Sequence, residues 1–268
     1  MSDLTTQNLP QQNANSQSIS ICGRIFLADG SGALYWPAQS TLIVSDMALG
    51  RALTERSAAA SPGSTMTYGA GYLFDDTRTA LIRLAEVIDR YDAATVIVLD
   101  QSIRSDNAAV SLDLETREIL QIMQEDRGWI WINGEHLPTT GSGPATDADA
   151  DNEQGWGGQQ AWGGTMCSEQ TISGLTCRYF PRTCRQTHEI AGFLHPAARV
   201  STFGHIVRRP CFVGNGRRLL LPAFGASNGG NNVLDETFRP LFGNDGMKIW
   251  LLGRDRPNPI ASRKLCPD

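Results

Sequence analysis

Residues 41–46 read Thr-Leu-Ile-Val-Ser-Asp, four residues with no charged break and then a polar end at Ser45 and Asp46. A short continuous apolar run of this kind suits a strand covered on both faces, whereas a half-exposed strand alternates. Two further stretches repeat the design. Residues 94–99, Ala-Thr-Val-Ile-Val-Leu, end at Asp100-Gln101-Ser102, and residues 129–132, Trp-Ile-Trp-Ile, end at Asn133-Gly134-Glu135-His136. Helical patterns lie between them. Asp75-Asp76-Thr77 offers helix caps. Leu81, Leu84, Ala85 and Ile88 follow at i, i+3, i+4 and i+7 as one apolar stripe. A second helix is expected over about residues 111–125, with Leu112, Ile119, Leu120 and Met123 inward. Strand, helix and strand in alternation imply a parallel α/β sheet with right-handed crossovers. In open α/β sheets, sites form beyond the carboxyl ends of the strands. Asp46, Asp100 or Gln101, and Glu135-His136 are therefore expected to converge.

Outward from this centre the chain is less regular. Residues 1–18 are rich in Gln, Asn and Ser and read as a disordered tail. A first strand is expected over 19–26, then a turn at 29–32 and a short apolar stretch at 33–36. Residues 52–71 read as a surface loop, and 138–165 as a flexible insertion rich in Gly, Thr, Asp and Trp. Within it, Asp147-x-Asp149-x-Asp151 has the opening of a calcium loop, but the glycine and distal glutamate are misplaced, so a solvated acidic loop is the better reading. The second half turns to strands at 171–179, 199–203, 208–213, 217–222 and 247–252. Asn215-Gly216 between two apolar runs signals a hairpin. Residues 254–268 hold three prolines and read as a loose tail. No internal repeat is evident. One domain over 19–253 is the expected organisation.

The 268 residues are 41% hydrophobic, with net charge −5 and a pI near 5.4, which gives no sign of a general affinity for nucleic acid or anionic membrane. A local basic patch remains open: Arg208, Arg209, Arg217 and Arg218 flank the expected hairpin and suit either phosphate contacts or a solvated strand edge. No signal-like start and no apolar run near the ~20 residues that span a bilayer appear, so a cytoplasmic protein with no membrane partner is the expectation. Six cysteines without a Cys-x-x-Cys pair read as reduced thiols. Cys177, Cys184 and His188 match no standard zinc spacing.

Longer motifs carry a resemblance. Ser45-Asp46-Met47-Ala48-Leu49-Gly50-Arg51, Asn133-Gly134-Glu135-His136, residues 189–200 around Gly192-Phe193-Leu194-His195-Pro196, residues 208–213, residues 221–226 and Asn232-Val233-Leu234-Asp235 are similar to motifs of calcineurin-like metallophosphoesterases. The branch they most resemble is the bacterial ligase-associated DNA-damage-response endonuclease family, over about residues 21–253 without the insertion. That resemblance implies an α/β four-layer αββα sandwich of two mixed sheets. It implies metal-dependent hydrolysis of phosphodiesters, with DNA, a DNA ligase and a helicase as partners. Two cations sharing a bridging carboxylate supply the water and clamp the phosphate in such enzymes.

The implied ligand set is incomplete here. Asp46 keeps the first metal ligand, but its histidine partner is Ala48. The bridging aspartate falls at Gln101, with Asp100 one position away. Glu135 stands for the asparagine ligand, and His136 keeps the position near the leaving group. Tyr179 aligns with a lone histidine. In the Gly-His-x-His motif, Phe193 replaces the first imidazole and His195 retains the second. His188 and His205 fall on no motif position. Replacing three imidazoles and a bridging carboxylate together removes a normal two-metal site, since even outer partners matter ~10–100-fold. The leading expectation is a degenerate phosphoesterase with little or no hydrolysis and a binding or scaffolding role. The alternative is a one-metal phosphodiesterase with Asp46, Asp100, Glu135 and His195 around manganese or magnesium and His136 as general acid.

Overall fold

The three buried runs form the parallel half of a seven-stranded sheet. In the computed structural model, which describes residues 14–47, 77–100, 114–134, 163–183, 187–202, 204–224, 230–242 and 246–268, strand order follows chain order: β1 (Ser16–Ile21), β2 (Arg24–Asp29), β3 (Leu34–Trp36), β4 (Thr41–Ser45), β5 (Thr95–Leu99), β6 (Gly128–Ile132) and β7 (Thr165–Cys167). Strands β1 to β4 pair antiparallel, and β4 to β7 pair parallel. The sheet is mixed, so the all-parallel expectation holds only for its second half.

Register explains the unbroken apolar runs. Leu42, Val96 and Trp129 stand in one row and Val44, Val98 and Trp131 in another. These rows face α1 (Thr77–Tyr91) and α2 (Leu114–Gln124), which pack there through Leu81, Leu84, Ile88, Leu120 and Met123. The alternate residues, Ile43, Ile97, Leu99 and Ile132, face the other way into a second core. Both faces are covered, so no polar alternation survives. Of the inward set expected for the second helix, Ile119 is only partly buried and Leu112 lies outside the described residues.

The second sheet holds β8 (Glu169–Ile172), β9 (Leu175–Arg178), β10 (Glu189–Ala191), β11 (Pro196–Thr202), β12 (His205–Gly214), β13 (Arg218–Leu220), β14 (Asn231–Asn232), β15 (Lys248–Leu252), β16 (Pro257–Ile260) and β17 (Leu265–Cys266). Its main path runs β14-β11-β12-β13-β10-β9-β8; β15 joins β12, β16 joins β15, and β17 joins β11. Strand β10 is parallel to both neighbours and β11 to β14, while the remaining pairs are antiparallel. Ile19, Ile21, Phe26 and Trp36 of the first sheet meet Leu175, Cys177, Phe212 and Leu219 of the second in the central core. The outer face of the second sheet packs Val200, Cys211 and Leu220 against Phe238, Leu241 and Phe242 from a 3-10 turn and α3 (Arg239–Phe242). Helices, sheet, sheet and a short helical turn make four layers.

Several elements depart from the sequence reading. The single strand expected over 19–26 is a hairpin, β1-β2, turned at Cys22 and Gly23 with φ of 50° and 74°. Residues 171–179 likewise split at Ser173 and Gly174, with φ of 50° and 77°. Two successive positive φ values define the hairpin turn matched to strand twist, and glycine in the second place permits it. The expected insertion ends in β7, and the remainder of it lies outside the described residues. The expected N-terminal tail contributes residues 16–18 to β1. The expected loose C-terminal stretch carries β16 and β17, because an edge strand tolerates Pro257 and Pro259. Among the described residues no helix is long and apolar enough to cross a membrane.

Candidate functional site

Strands β4, β5 and β6 deliver Asp46, Asp100 and Asn133 to the carboxyl edge of the first sheet. The ladder continues one residue past each paired end: Asp46 N–H donates to Leu99 O at 2.9 Å, and Asp100 N–H to Ile132 O at 3.0 Å. Asp46 then turns with φ of 47°, a left-handed conformation that costs most residues energy but that aspartate tolerates. Asp100 is 1% exposed, and its Oδ2 accepts the Met47 N–H at 2.9 Å. The two acidic strand ends are thereby tied together.

The second sheet supplies the opposite wall. Strand β9 runs out into Tyr179, and β10 into Gly192-Phe193-Leu194-His195. A tight turn, Leu194 N–H to Gly192 O at 2.8 Å, holds Phe193 at φ 59°, and His195 follows at 44°. Gly192 is required by close approach: a Cβ there would lie 2.2 Å from Ser45 Oγ and 3.5 Å from Asp46 Oδ2. The loop can cross the first sheet's edge only without a side chain at that position.

Asp46 is the hub. Ser45 Oγ donates to its Oδ2 at 2.7 Å, and the Tyr179 hydroxyl donates to its Oδ1 at 2.8 Å. His195 Nε2 lies 2.6 Å from Oδ2, with the His195 side chain 3% exposed. Burial alone would push the Asp46 carboxyl up. The His195 charge, with bonds from His195, Ser45 and Tyr179, outweighs it and holds the group below the usual carboxylate value. Around this hub Tyr179, Phe180 and Phe193 form an aromatic trio, with ring centroids 4.8 Å, 5.6 Å and 4.5 Å apart. Gly134, leaving β6 at φ 70°, fits under it, since a Cβ would meet Phe180 at 2.7 Å.

Asp46 and His195 are thus in contact, and Asp100 is joined to them through Met47. Glu135, His136, Ala48 and Gln101 lie outside the described residues. Two signals were missed at the outset. Ser45 gave none beyond preceding Asp46. Tyr179 stood as the replacement for a histidine, not as a group that holds Asp46.

The arginine reading needs correction. Arg218 is 2% exposed and ion-pairs through Nε with Glu189 Oε1 at 2.6 Å; it also donates to Leu241 O, Arg182 O and, at 2.6 Å, Thr187 Oγ1. With Arg178 on the other oxygen of Glu189 at 3.1 Å, it is a structural tie between β10, β13 and the helical layer, closed to phosphate. Nor do the four arginines form one patch. Arg208 and Arg209 lie mid-strand in β12, some 17 Å from the turn at about 3.3 Å per residue, and only Arg209 and Arg217 are exposed. The hairpin itself is as expected, with Asn215 Oδ1 accepting the Arg217 and Arg218 N–H groups at 3.1 and 3.0 Å.

Among the described residues no three His, Cys, Asp or Glu side chains group as a metal site. Both Asp46 oxygens accept from protein donors. The zinc spacing also gains nothing. Cys177 lies in the central core with its thiol pushed up to about 12 by burial, His188 is exposed, and Cys184 is outside the described residues.

No protein-family profile matches the chain, and no curated protein matches it either. A solved structure does. The nuclease MPE from Pseudomonas putida is similar with a TM-score of 0.58 and 20% identity, covering 92% of this chain and 100% of that one. The chain shares the fold of that structure. At that identity the likeness extends to the frame alone, two facing mixed sheets, and leaves the chemistry to the residues.

Proposed function

We propose that the chain is a nuclease-fold protein of the metallophosphoesterase type that binds nucleic acid with little or no hydrolysis, as a binding or scaffolding component in DNA repair. The observation that carries this is the state of Asp46. A two-metal phosphodiesterase needs carboxylate lone pairs free for its cations. Asp46 instead gives three of its roughly four acceptor sites to Ser45, Tyr179 and His195. His195 Nε2 and Asp46 Oδ2 touch at 2.6 Å, closer than two adjacent ligands of one octahedral ion at ~2.1 Å bond length, which stand ~3.0 Å apart. A nuclease as structural neighbour supports a nucleic-acid ligand.

The test is hydrolysis of bis-p-nitrophenyl phosphate and of single- and double-stranded DNA with manganese or magnesium. No turnover that depends on both metal and Asp46 is expected. Metal-dependent cleavage abolished by Asp46→Ala overturns the proposal. Binding to DNA that weakens with salt is expected alongside.

A second reading, a one-metal phosphodiesterase using Asp46, Asp100, Glu135 and His195 with His136 as acid, has one observation in its favour. Asp100 keeps a buried carboxylate one strand from Asp46. Manganese binding lost in Asp46→Ala is the result that selects it.

A further inference from the structure

The second sheet carries a polar notch behind the His195 loop. Arg199 and Arg208 are directly opposed across β11 and β12, an arrangement that repels unless an anion sits between the guanidinium groups. The anion is Asp268. Its Oδ1 accepts from Arg208 Nη1 at 2.8 Å and from Asn232 Nδ2 at 3.2 Å, and lies 3.6 Å from Arg199 Nη1. Asn232 is 1% exposed, whereas the Asp268 side chain is 47% exposed. Three N–H-bearing side chains therefore converge on one carboxylate oxygen that is itself half in solvent.

The segment that brings Asp268 there is lightly held. Strand β17 pairs with β11 only at Arg199 with Cys266 and Val200 with Leu265, helped by Arg199 Nη1 to Pro267 O at 2.6 Å and Asn232 Nδ2 to Cys266 O at 3.0 Å. The notch, in contrast, is built into the frame beside the candidate site. Arg208 Nη2 donates to Gly230 O. Gly230 lies against His195 so closely that a Cβ would sit 2.3 Å from His195 O. Asn231 N–H donates to His195 O and its Nδ2 to Leu194 O, both at 3.0 Å. Asp235 stands at the rim, its carboxyl pushed up by burial and then by Asp268.

We propose that Arg199, Arg208 and Asn232 form a phosphodiester-binding notch for a nucleic-acid strand beside the His195 loop, and that Asp268 fills it in cis and competes with the strand. The inference rests on the nucleic-acid-binding reading above. Two guanidinium forks and an amide match a phosphate's several oxygens better than they match one carboxylate oxygen. A half-exposed ion pair is worth little in water, so displacement is cheap.

The test is anisotropy of a fluorescein-labelled single-stranded oligonucleotide with the full chain, as wild type, Asp268→Asn, Asp268→Ala, and Asp268→Asn combined with Arg208→Ala or Arg199→Ala. Either Asp268 variant is expected to bind about three- to tenfold tighter, as loss of a competing charge implies, with a salt slope steeper by about 0.7, one phosphate's share on a single strand. Each arginine substitution is expected to erase that gain. Unfolding midpoints of all forms identify any variant that has lost its fold, and the second Asp268 variant then stands in. Wild-type binding that both folded Asp268 variants leave unchanged overturns the notch and leaves the nucleic-acid reading intact. Binding absent from every form overturns both. Inorganic phosphate that competes only in the Asp268 variants, with no gain for the oligonucleotide, marks a small-anion site and also overturns the proposal.

Discussion

At the scale of single residues, the account turns on how Asp46 is satisfied. Its contacts with Tyr179 and His195 join positions 133 and 149 residues away in the chain and in the other sheet. Asp46 and His195 were legible in the sequence because each ends or follows a strand and sits within a recognisable motif. Ser45 and the Tyr179 hydroxyl were not, because their role exists only once the two sheets face each other. Tyr179→Phe removes a donor from a buried carboxylate and is expected to cost about 1.5–3 kcal/mol, read by urea unfolding. Ser45→Ala removes a second such donor and is expected to cost a similar amount. The cysteines give an independent check. Burial pushes the Cys177 thiol up to about 12 and the Cys211 thiol higher still. Ellman's reagent at pH 8 should therefore leave at least these two of the six thiols untouched in the native protein and react with all six after denaturation.

At the scale of elements, legibility followed length and local pattern. Strands β4, β5 and β6 and helix α1 were readable because each is long enough to show its period or its unbroken burial. Strands β10, β14 and β17, of three, two and two residues, were not. They form because a neighbouring edge offers hydrogen bonds, which no local pattern announces. The two hairpin turns at Cys22-Gly23 and Ser173-Gly174 were missed for a related reason. Their first residue is an unusual one at positive φ, and only the glycine hinted at the break. Leu84 of α1 is fully buried against the first sheet, so Leu84→Ala should cost about 2–5 kcal/mol in thermal or urea unfolding. Gly192→Ala tests the crossing of the two sheets. Its Cβ would collide with Ser45 Oγ, and a destabilisation of about 1–3 kcal/mol is expected from the forced shift.

At the scale of the whole molecule, two sheets face each other over one core, and the candidate site lies where their carboxyl edges meet. The sequence announced the first sheet's half of that edge. The second sheet's half was legible only through the motif around His195. The misread arginine shows why charge alone says little. From its place by the turn Arg218 suited either a phosphate contact or a solvated strand edge, yet it is locked to Glu189, which is fully buried. Breaking such a buried pair leaves an uncompensated charge, so Arg218→Ala should cost about 3–5 kcal/mol while Arg217→Ala, at an exposed position, should stay within about 0.5 kcal/mol. The same frame that holds this pair also sets Asp46 against Ser45, Tyr179 and His195. Calorimetric titration of the full chain with manganese, in wild type and Asp46→Ala, tests that arrangement most directly. The account predicts no binding that distinguishes the two proteins; a manganese site present in wild type and lost in Asp46→Ala would contradict it.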